Sequence, residues 1–444
     1  MRASRRGGLS RPRATLALAL AALLPNLLAL PPDVPGSSSP AALAQTPART
    51  DNIRDLEYWL NDYGIREAWN TTRGRGQTIA IIDSGIDSTH PDLRGAVVGG
   101  TDFSGSGAPN GQRPVGSVNG SEHGTLVASL AAGRGTGTSN GVIGSAPEAS
   151  LLSISIGFDG DGSTGTGESS DAQVAQAVRW AVDNGATVIN LSLTRNTPDW
   201  PRSWDEAFLY AQQKDVVVVA AAGNRASGTE AVGAPATMPG VLAVAGVDRQ
   251  GRASRSASSQ GITLGVAAPS EQLVGDLPGG QFATWSGTSG AAPIVAGIVA
   301  LVRAARPDLD VANVINRLTA TARDAGTPGP DFSYGFGLVD AAAAVGADVP
   351  RVTANPAGDL AQWIATYRPG TGSAGAAGGA TGTPLADRAA RGSAYWNPVG
   401  TLLPPPDGLL LTVFPAVLLF GGLTAGIAFG VRAVRAFGRR RRAR

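Results

Sequence analysis

Two histidines and no cysteine narrow the chemistry open to this 444-residue chain. Disulfides, thiolate metal sites, iron–sulfur clusters and cysteine nucleophiles are excluded, and any imidazole chemistry rests on His90 or His123. Asp83 closes an apolar run in Asp83-Ser84-Gly85-Ile86-Asp87. A carboxylate at the end of a buried strand is costly unless hydrogen-bonded, which suits an Asp that orients an imidazole. His123 opens His123-Gly124-Thr125-Leu126-Val127-Ala128, a helical stretch that stops at Gly133. A helix start disfavours the imidazolium, so His123 needs a charged partner such as Asp83. Ser289 sits in Gly287-Thr288-Ser289-Gly290-Ala291-Ala292-Pro293, ahead of an apolar helix running to about Ala305. There, free backbone N–H groups can face a developing oxyanion. Asn224, ending Ala220-Ala221-Ala222-Gly223-Asn224, is a second candidate oxyanion donor. Each residue taken alone also fits an ordinary cap, turn or structural role. Together they form a Ser-His-Asp nucleophile system. His90, in Thr89-His90-Pro91-Asp92, reads as a structural turn residue.

The elements that must position these groups are short apolar runs at residues 78–82, 151–156, 187–193, 216–221 and 241–247. They lack clean alternation, as strands covered on both faces do. Helical patterns lie between several of them. One spans residues 171–184, with Asp171 as its expected cap, Val174, Val178 and Ala181 on one stripe and Gly185 as its stop. Another runs over residues 203–213. The alternation predicts an α/β fold, a parallel sheet flanked by helices whose ligands gather at the carboxyl ends of the strands. Gly-rich stretches at residues 133–144 and 157–167 are not followed by Gly-Lys-Ser/Thr, so they read as surface loops.

The ends of the chain have a different character. Five Arg precede the apolar residues 14–30, and Ala42-Leu43-Ala44 offers a cleavage pattern, so residues 1–44 are expected to be a signal peptide, with an uncleaved anchor as the alternative. Residues 408–431 hold no charge and are followed by Arg432, Arg435 and an arginine run, which predicts one C-terminal transmembrane helix with an Arg-rich cytoplasmic tail, residues 432–444. Of the 36 basic and 34 acidic residues, five Arg and one Asp fall in residues 1–44 and seven Arg in residues 408–444. The middle thus keeps 24 bases against 33 acids. That acidic body is no nucleic-acid footprint. Residues 349–407, rich in Gly, Ala and Pro, read as a linker, and residues 69–348 as one folded domain preceded by an N-terminal extension, residues 45–68. No separate prodomain is expected in that extension. Leu56, Tyr58, Trp59 and Leu60 are expected to pack on the surface of the domain.

In chain order Asp83, His123 and Ser289 run acid, His, Ser. No histidine follows Ser289, which excludes the α/β-hydrolase order. With the blocks around them, including His90-Pro91-Asp92-Leu93, the chain from about Trp69 to Ala344 resembles the subtilases, the subtilisin-like serine peptidases. The resemblance implies that Asp83 orients His123, that His123 is general base and then acid, that Ser289 is the nucleophile, and that Asn224 with the Ser289 N–H holds the oxyanion. It also implies strand addition of an extended peptide along Leu191-Ser192-Leu193 and the Gly160-Asp161-Gly162 region, with Gly223 and Thr194 at the pocket. Where that family usually has Gly, this chain has the stiff Thr194. Either it narrows the primary pocket, favouring small residues before the scissile bond, or it turns to solvent and changes nothing. The chemistry needs no cofactor. Asp92, Asp159 and Asp161 are candidate calcium ligands without a calcium-loop spacing, so metal binding stays open. The whole layout further resembles the mycosins, membrane-anchored subtilases of actinobacterial type VII secretion, although mycosins usually carry cysteines. The implied partners are a protein or peptide substrate, the membrane and a secretion complex, with the domain outside the cell. A protease added to intact cells should release the body by cutting residues 370–382. Cleavage of the Arg439 to Arg444 tail instead contradicts this orientation.

Overall fold

The apolar runs pair side by side as the central layer of the protein. The structure is a computed structural model that describes residues 46–47, 53–115, 122–137, 139–158 and 167–368. In chain order the elements begin with β1 (Thr46–Pro47), α1 (Ile53–Leu56), α2 (Trp59–Asp62), α3 (Ile65–Ala68), β2 (Thr78–Asp83), β3 (Val97–Asp102) and α4 (His123–Ala132). Next come β4 (Ser150–Ser155), α5 (Ser170–Asp183), β5 (Val188–Leu191), α6 (Arg202–Gln213), β6 (Val217–Ala221), β7 (Leu242–Val247) and β8 (Leu264–Pro269). The last are β9 (Leu273–Leu277), β10 (Gln281–Trp285), α7 (Thr288–Ala305), α8 (Val311–Ala320), α9 (Ala341–Gly346) and α10 (Leu360–Tyr367).

Seven strands form one parallel sheet in the order β3-β4-β2-β5-β6-β7-β8, and β1, β10 and β9 form a small antiparallel sheet. In β2, β5, β6 and β7 nearly every residue is buried, which explains the continuous apolar runs. The chain places β3 and β4 on one side of β2 and then turns to β5 on the other. The carboxyl ends beside β2 therefore form a crevice at a reversal of strand order, where open α/β sheets bind ligands.

Helix α7 is long and apolar enough to cross a bilayer, but it lies inside the fold, buried against the sheet and α4. It is a core helix. The C-terminal span expected at residues 408–431 lies outside the described residues, as do residues 1–44 and Asp159, Gly160, Asp161 and Gly162.

Three expectations change in detail. The cap of α5 is Ser169, whose hydroxyl accepts the Ala172 N–H, while Asp171 sits in the first turn and pairs with Arg195. Either side chain can cap, and position alone did not choose between them. The expected surface extension is deeper than a strap: Trp59 and Leu60 are fully buried and Tyr58 donates its hydroxyl to the Glu271 carbonyl at 2.8 Å. The expected linker begins too early. Asp359 caps α10 by accepting the Gln362 N–H, Trp363 packs on Trp200 with ring centroids 4.4 Å apart, and Arg368 pairs with buried Asp205. A Gly, Ala and Pro bias over residues 349–407 hid one short amphipathic helix.

Because Trp59 is wholly enclosed, Trp59→Ala should cost about 3–5 kcal/mol and lower Tm by roughly 6–20 °C. Differential scanning calorimetry measures it. An unchanged Tm means the extension is only a surface strap.

Candidate active site

Strand β2 ends on Asp83, a wholly buried carboxylate. Its Oδ1 accepts the Ser84 N–H at 2.7 Å, and both of its oxygens lie 2.9 Å from His123 Nδ1. His123 is the first residue of α4, which must come unusually near the β2 turn. A Cβ on Gly124 would lie 2.3 Å from the Gly85 carbonyl oxygen, so only glycine fits there. The Gly124 N–H donates to Ser84 Oγ at 3.0 Å and locks that approach. Burial by itself pushes the His123 imidazole down in pKa. The Asp83 carboxylate, through its charge and hydrogen bond, overcomes burial and leaves the pKa above its ordinary value, with a smaller push from Glu122. The ring also meets Trp285 edge-on, centroids 5.8 Å apart.

Ser289 is the second residue of α7. Pro293, four residues on, has no N–H to offer the Ser289 carbonyl. Ser192 Oγ takes its place, donating to that carbonyl at 2.8 Å, and Asn190 Nδ2 donates to Ser192 Oγ at 2.9 Å. In return the Ser289 hydroxyl donates to the Ser192 carbonyl at 3.0 Å. Asn224 follows β6. Its Oδ1 accepts both the Thr288 N–H at 2.8 Å and the Thr288 hydroxyl at 3.0 Å, while Thr288 Oγ1 accepts the Gly223 N–H at 3.1 Å. With its oxygen end held by Thr288, Asn224 lines the pocket beside Ser289 and keeps its amide N–H donors for another acceptor.

Sequence reasoning brings Asp83 to His123 and Asn224 to Ser289. It missed Thr288, which holds Asn224, Trp285, which packs on His123, and Asn190, which holds Ser192 and through it Ser289. Thr288 carries a readable signal, being a hydroxyl directly before the serine. Gly223, at φ +107°, lines the pocket with Ser192, Leu193 and Thr194. Leu191 does not: it is fully buried in β5, paired to Ile82 and Ala220 on either side, and belongs to the core. His90 lies in its turn as a structural residue, 1% exposed with Nδ1 3.2 Å from Asp276.

The parallel α/β sheet sets the Asp83–His123 pair at the carboxyl end of β2, and Asn224 and Ser289, the latter tied to Ser192, at the carboxyl ends of β6 and of β5, which neighbours β2, a layout of the serine-hydrolase type. The subtilase family model matches residues 74–337, more than half of the chain, and the chain belongs to that family. Subtilisin E of Bacillus subtilis (strain 168) is 39% identical over 273 residues, covering 61% of this chain and 66% of that protein. Thermitase of Thermoactinomyces vulgaris is 41% identical over 236 residues, 53% of this chain and 78% of its own. Among solved structures, MycP1 from Mycobacterium smegmatis is similar at 29% identity and a TM-score of 0.58, covering 72% of this chain and 94% of that one. Fervidolysin from Fervidobacterium pennivorans, described as a keratinolytic enzyme related to subtilisin, matches at 29% identity and a TM-score of 0.58 over 70% and 51%. The chain thus spans just under two thirds of subtilisin E and about half of fervidolysin.

The pocket beside Ser289 is small, about 20 Å³, and Thr194, Asn196, Ser227 and Thr229 give it polar walls. That volume holds roughly one water. Thr194 is half-buried, its Oγ1 donating to the Arg195 carbonyl at 3.0 Å and pressed against Gly233, so it does not turn to solvent. Small residues such as Ala or Ser should be favoured before the scissile bond, and Phe should lose roughly ten- to a hundredfold in kcat/KM, the equivalent of about 1–3 kcal/mol of overpacking. Thr194→Gly should recover part of that loss in a peptide-library profile. Equal use of Phe and Ala by both enzymes refutes the argument.

Proposed function

We propose that this subtilase is a membrane-anchored, extracytoplasmic serine endopeptidase that cuts extended peptide segments through an acyl-enzyme. The observation that carries the reading is the buried Asp83–His123 pair at the end of β2, with Nδ1 held at 2.9 Å, next to the end of β5 where Ser192 ties down Ser289 at the start of a helix. In the proposed cycle the Ser289 hydroxyl turns about χ1 from the Ser192 carbonyl and passes its proton to His123 Nε2 as Oγ attacks the substrate carbonyl carbon. The oxyanion is met by Asn224 Nδ2 and the unpaired Ser289 N–H. Collapse sends the proton from His123 to the leaving amine, and water then repeats the steps to release the acid. Asp83 keeps Nδ1 protonated and stabilises the imidazolium without taking the proton.

A second reading is participation in a secretion complex. It is favoured by the matches to MycP proteins, one of them described as an essential component of the type VII (ESX-1) secretion system, at 30% identity and a TM-score of 0.54. Comparing surface and medium proteomes of wild type, Ser289→Ala and a whole-chain deletion separates the two. If Ser289→Ala alters no cleavage product while the deletion alters secretion, the scaffold role is primary.

Ser289→Ala should abolish peptide hydrolysis, and Asn224→Ala should lose roughly 10²–10³ in kcat. Because the base works as neutral imidazole and Asp83 raises its pKa, activity should fall as pH drops, with the acid limb of kcat/KM above about 6.5, the ordinary imidazole value. Asp83→Asn should move that limb down while cutting the rate by about 10⁴. A limb that Asp83→Asn leaves in place assigns it to another group.

A further inference from the structure

The turn that follows Asn224 has a second side. Arg225–Ser227 form a single 3₁₀ turn after β6, with the Ser227 N–H donating to the Asn224 carbonyl at 3.0 Å. Ser227 lines the small pocket beside Ser289, while Arg225 and Ala226 line an open recess of about 620 Å³. The loop between β7 and β8 adds Arg255 and Ser256 to that recess, and Glu230 is the one carboxylate in its lining. The Ala226 N–H donates to the Ser256 carbonyl at 3.0 Å and the Ser259 N–H to the Gly223 carbonyl at 2.7 Å. The recess is thus fastened to the segment that carries Asn224. Two guanidinium groups against one carboxylate leave it positive, in a stretch of chain, residues 45–407, that holds 33 acids and 24 bases. Arg54, Arg179, Arg195, Arg252, Arg303 and Arg368 are all in ion pairs. Among the described residues Arg225 and Arg255 have none. Arg225 is held by its Nη2, which donates to the Ser254 carbonyl at 2.9 Å, and its Nη1 has no acceptor among the described residues. Arg255 is exposed. A guanidinium fixed by one bond and left without an acid matches a carboxylate, whose two oxygens take parallel N–H donors.

We propose that this recess receives an Asp or Glu side chain of the substrate, close to the scissile bond but not directly before it, so that Arg225 and Arg255 determine specificity. The proposal rests on the endopeptidase reading above and names the substrate class of that site. An extended peptide advances about 3.3 Å per residue, so with its scissile carbonyl at Asn224 the side chains one to three residues away come within reach of a turn that starts at the next residue of the chain. The pocket beside Ser289, with room for roughly one water, takes no such side chain, which puts the acid outside it. Glu230 opposes the attraction. Because Arg255 is exposed, the preference should also shrink as salt is raised.

The test uses the full-length chain in detergent and quenched fluorescent peptides. Ala is held before the scissile bond, and one other position at a time, up to three residues away, carries Glu or its neutral isostere Gln. At one position Glu should be preferred by roughly tenfold in kcat/KM, as one hydrogen bond to a charged group is worth. Arg225→Gln combined with Arg255→Gln should abolish the preference, and Glu230→Gln should increase it. If the double variant does not fold, Arg255→Gln alone, a change at an exposed side chain, decides: it should reduce the preference, and a preference it leaves intact overturns the proposal. Equal cleavage of Glu and Gln peptides at every position overturns the proposal while the endopeptidase stands. A preference for Glu that survives the double variant in folded protein overturns it as well. Failure to cleave any peptide refutes the endopeptidase reading and the recess with it.

Discussion

The contact between Asp83 and His123 is the interaction on which the rest of the crevice depends. A carboxylate with no exposure is tolerated at the end of β2 because three donor contacts surround it, one from the Ser84 backbone and two from a single imidazole nitrogen. The same contact reverses the effect of burial on His123 and leaves its pKa raised rather than lowered. Reaching it obliges α4 to begin against the β2 turn, which fixes Gly124 and uses Ser84 as the clasp.

Around that pair the remaining groups are held by reciprocal bonds between neighbouring elements. Pro293 removes one helical donor from α7, and the freed Ser289 carbonyl is taken by Ser192, so the end of β5 and the start of α7 are tied at Ser289. Thr288 does the same for the end of β6 through Asn224 and Gly223. Burial of α7 along nearly its whole length makes the mount rigid. A rigid core element holds catalytic geometry better than a loop does, because every neighbouring side chain resists its displacement.

Much of this was legible from residue types and order. Asp83, His123, Asn224 and Ser289 stand at strand ends or helix starts, where apolar runs stop and special residues begin, and those boundaries survive translation into three dimensions. Contacts made by distant segments were not legible. Asp276 sits in a short strand with no local sign that it meets His90, and His90 in its Pro-bearing turn resembles any surface loop. Leu191 shows the opposite error: although next to pocket residues in sequence, it is the last residue of β5, paired to strands on both sides and buried in the core. Helix α10 was lost in a compositional bias, since one Trp363 stacked on Trp200 outweighs many flanking glycines and alanines.

The central claim is that Ser289, His123 and Asn224 act on one carbonyl. A crystal structure of the chain reacted with a peptidyl phosphonate tests it most directly. The account predicts phosphorus bonded to Ser289 Oγ, one phosphonyl oxygen within 2.7–3.1 Å of both Asn224 Nδ2 and the Ser289 N–H, and His123 turned to the leaving-group side. An adduct on another residue, or a phosphonyl oxygen directed to solvent away from Asn224, contradicts it.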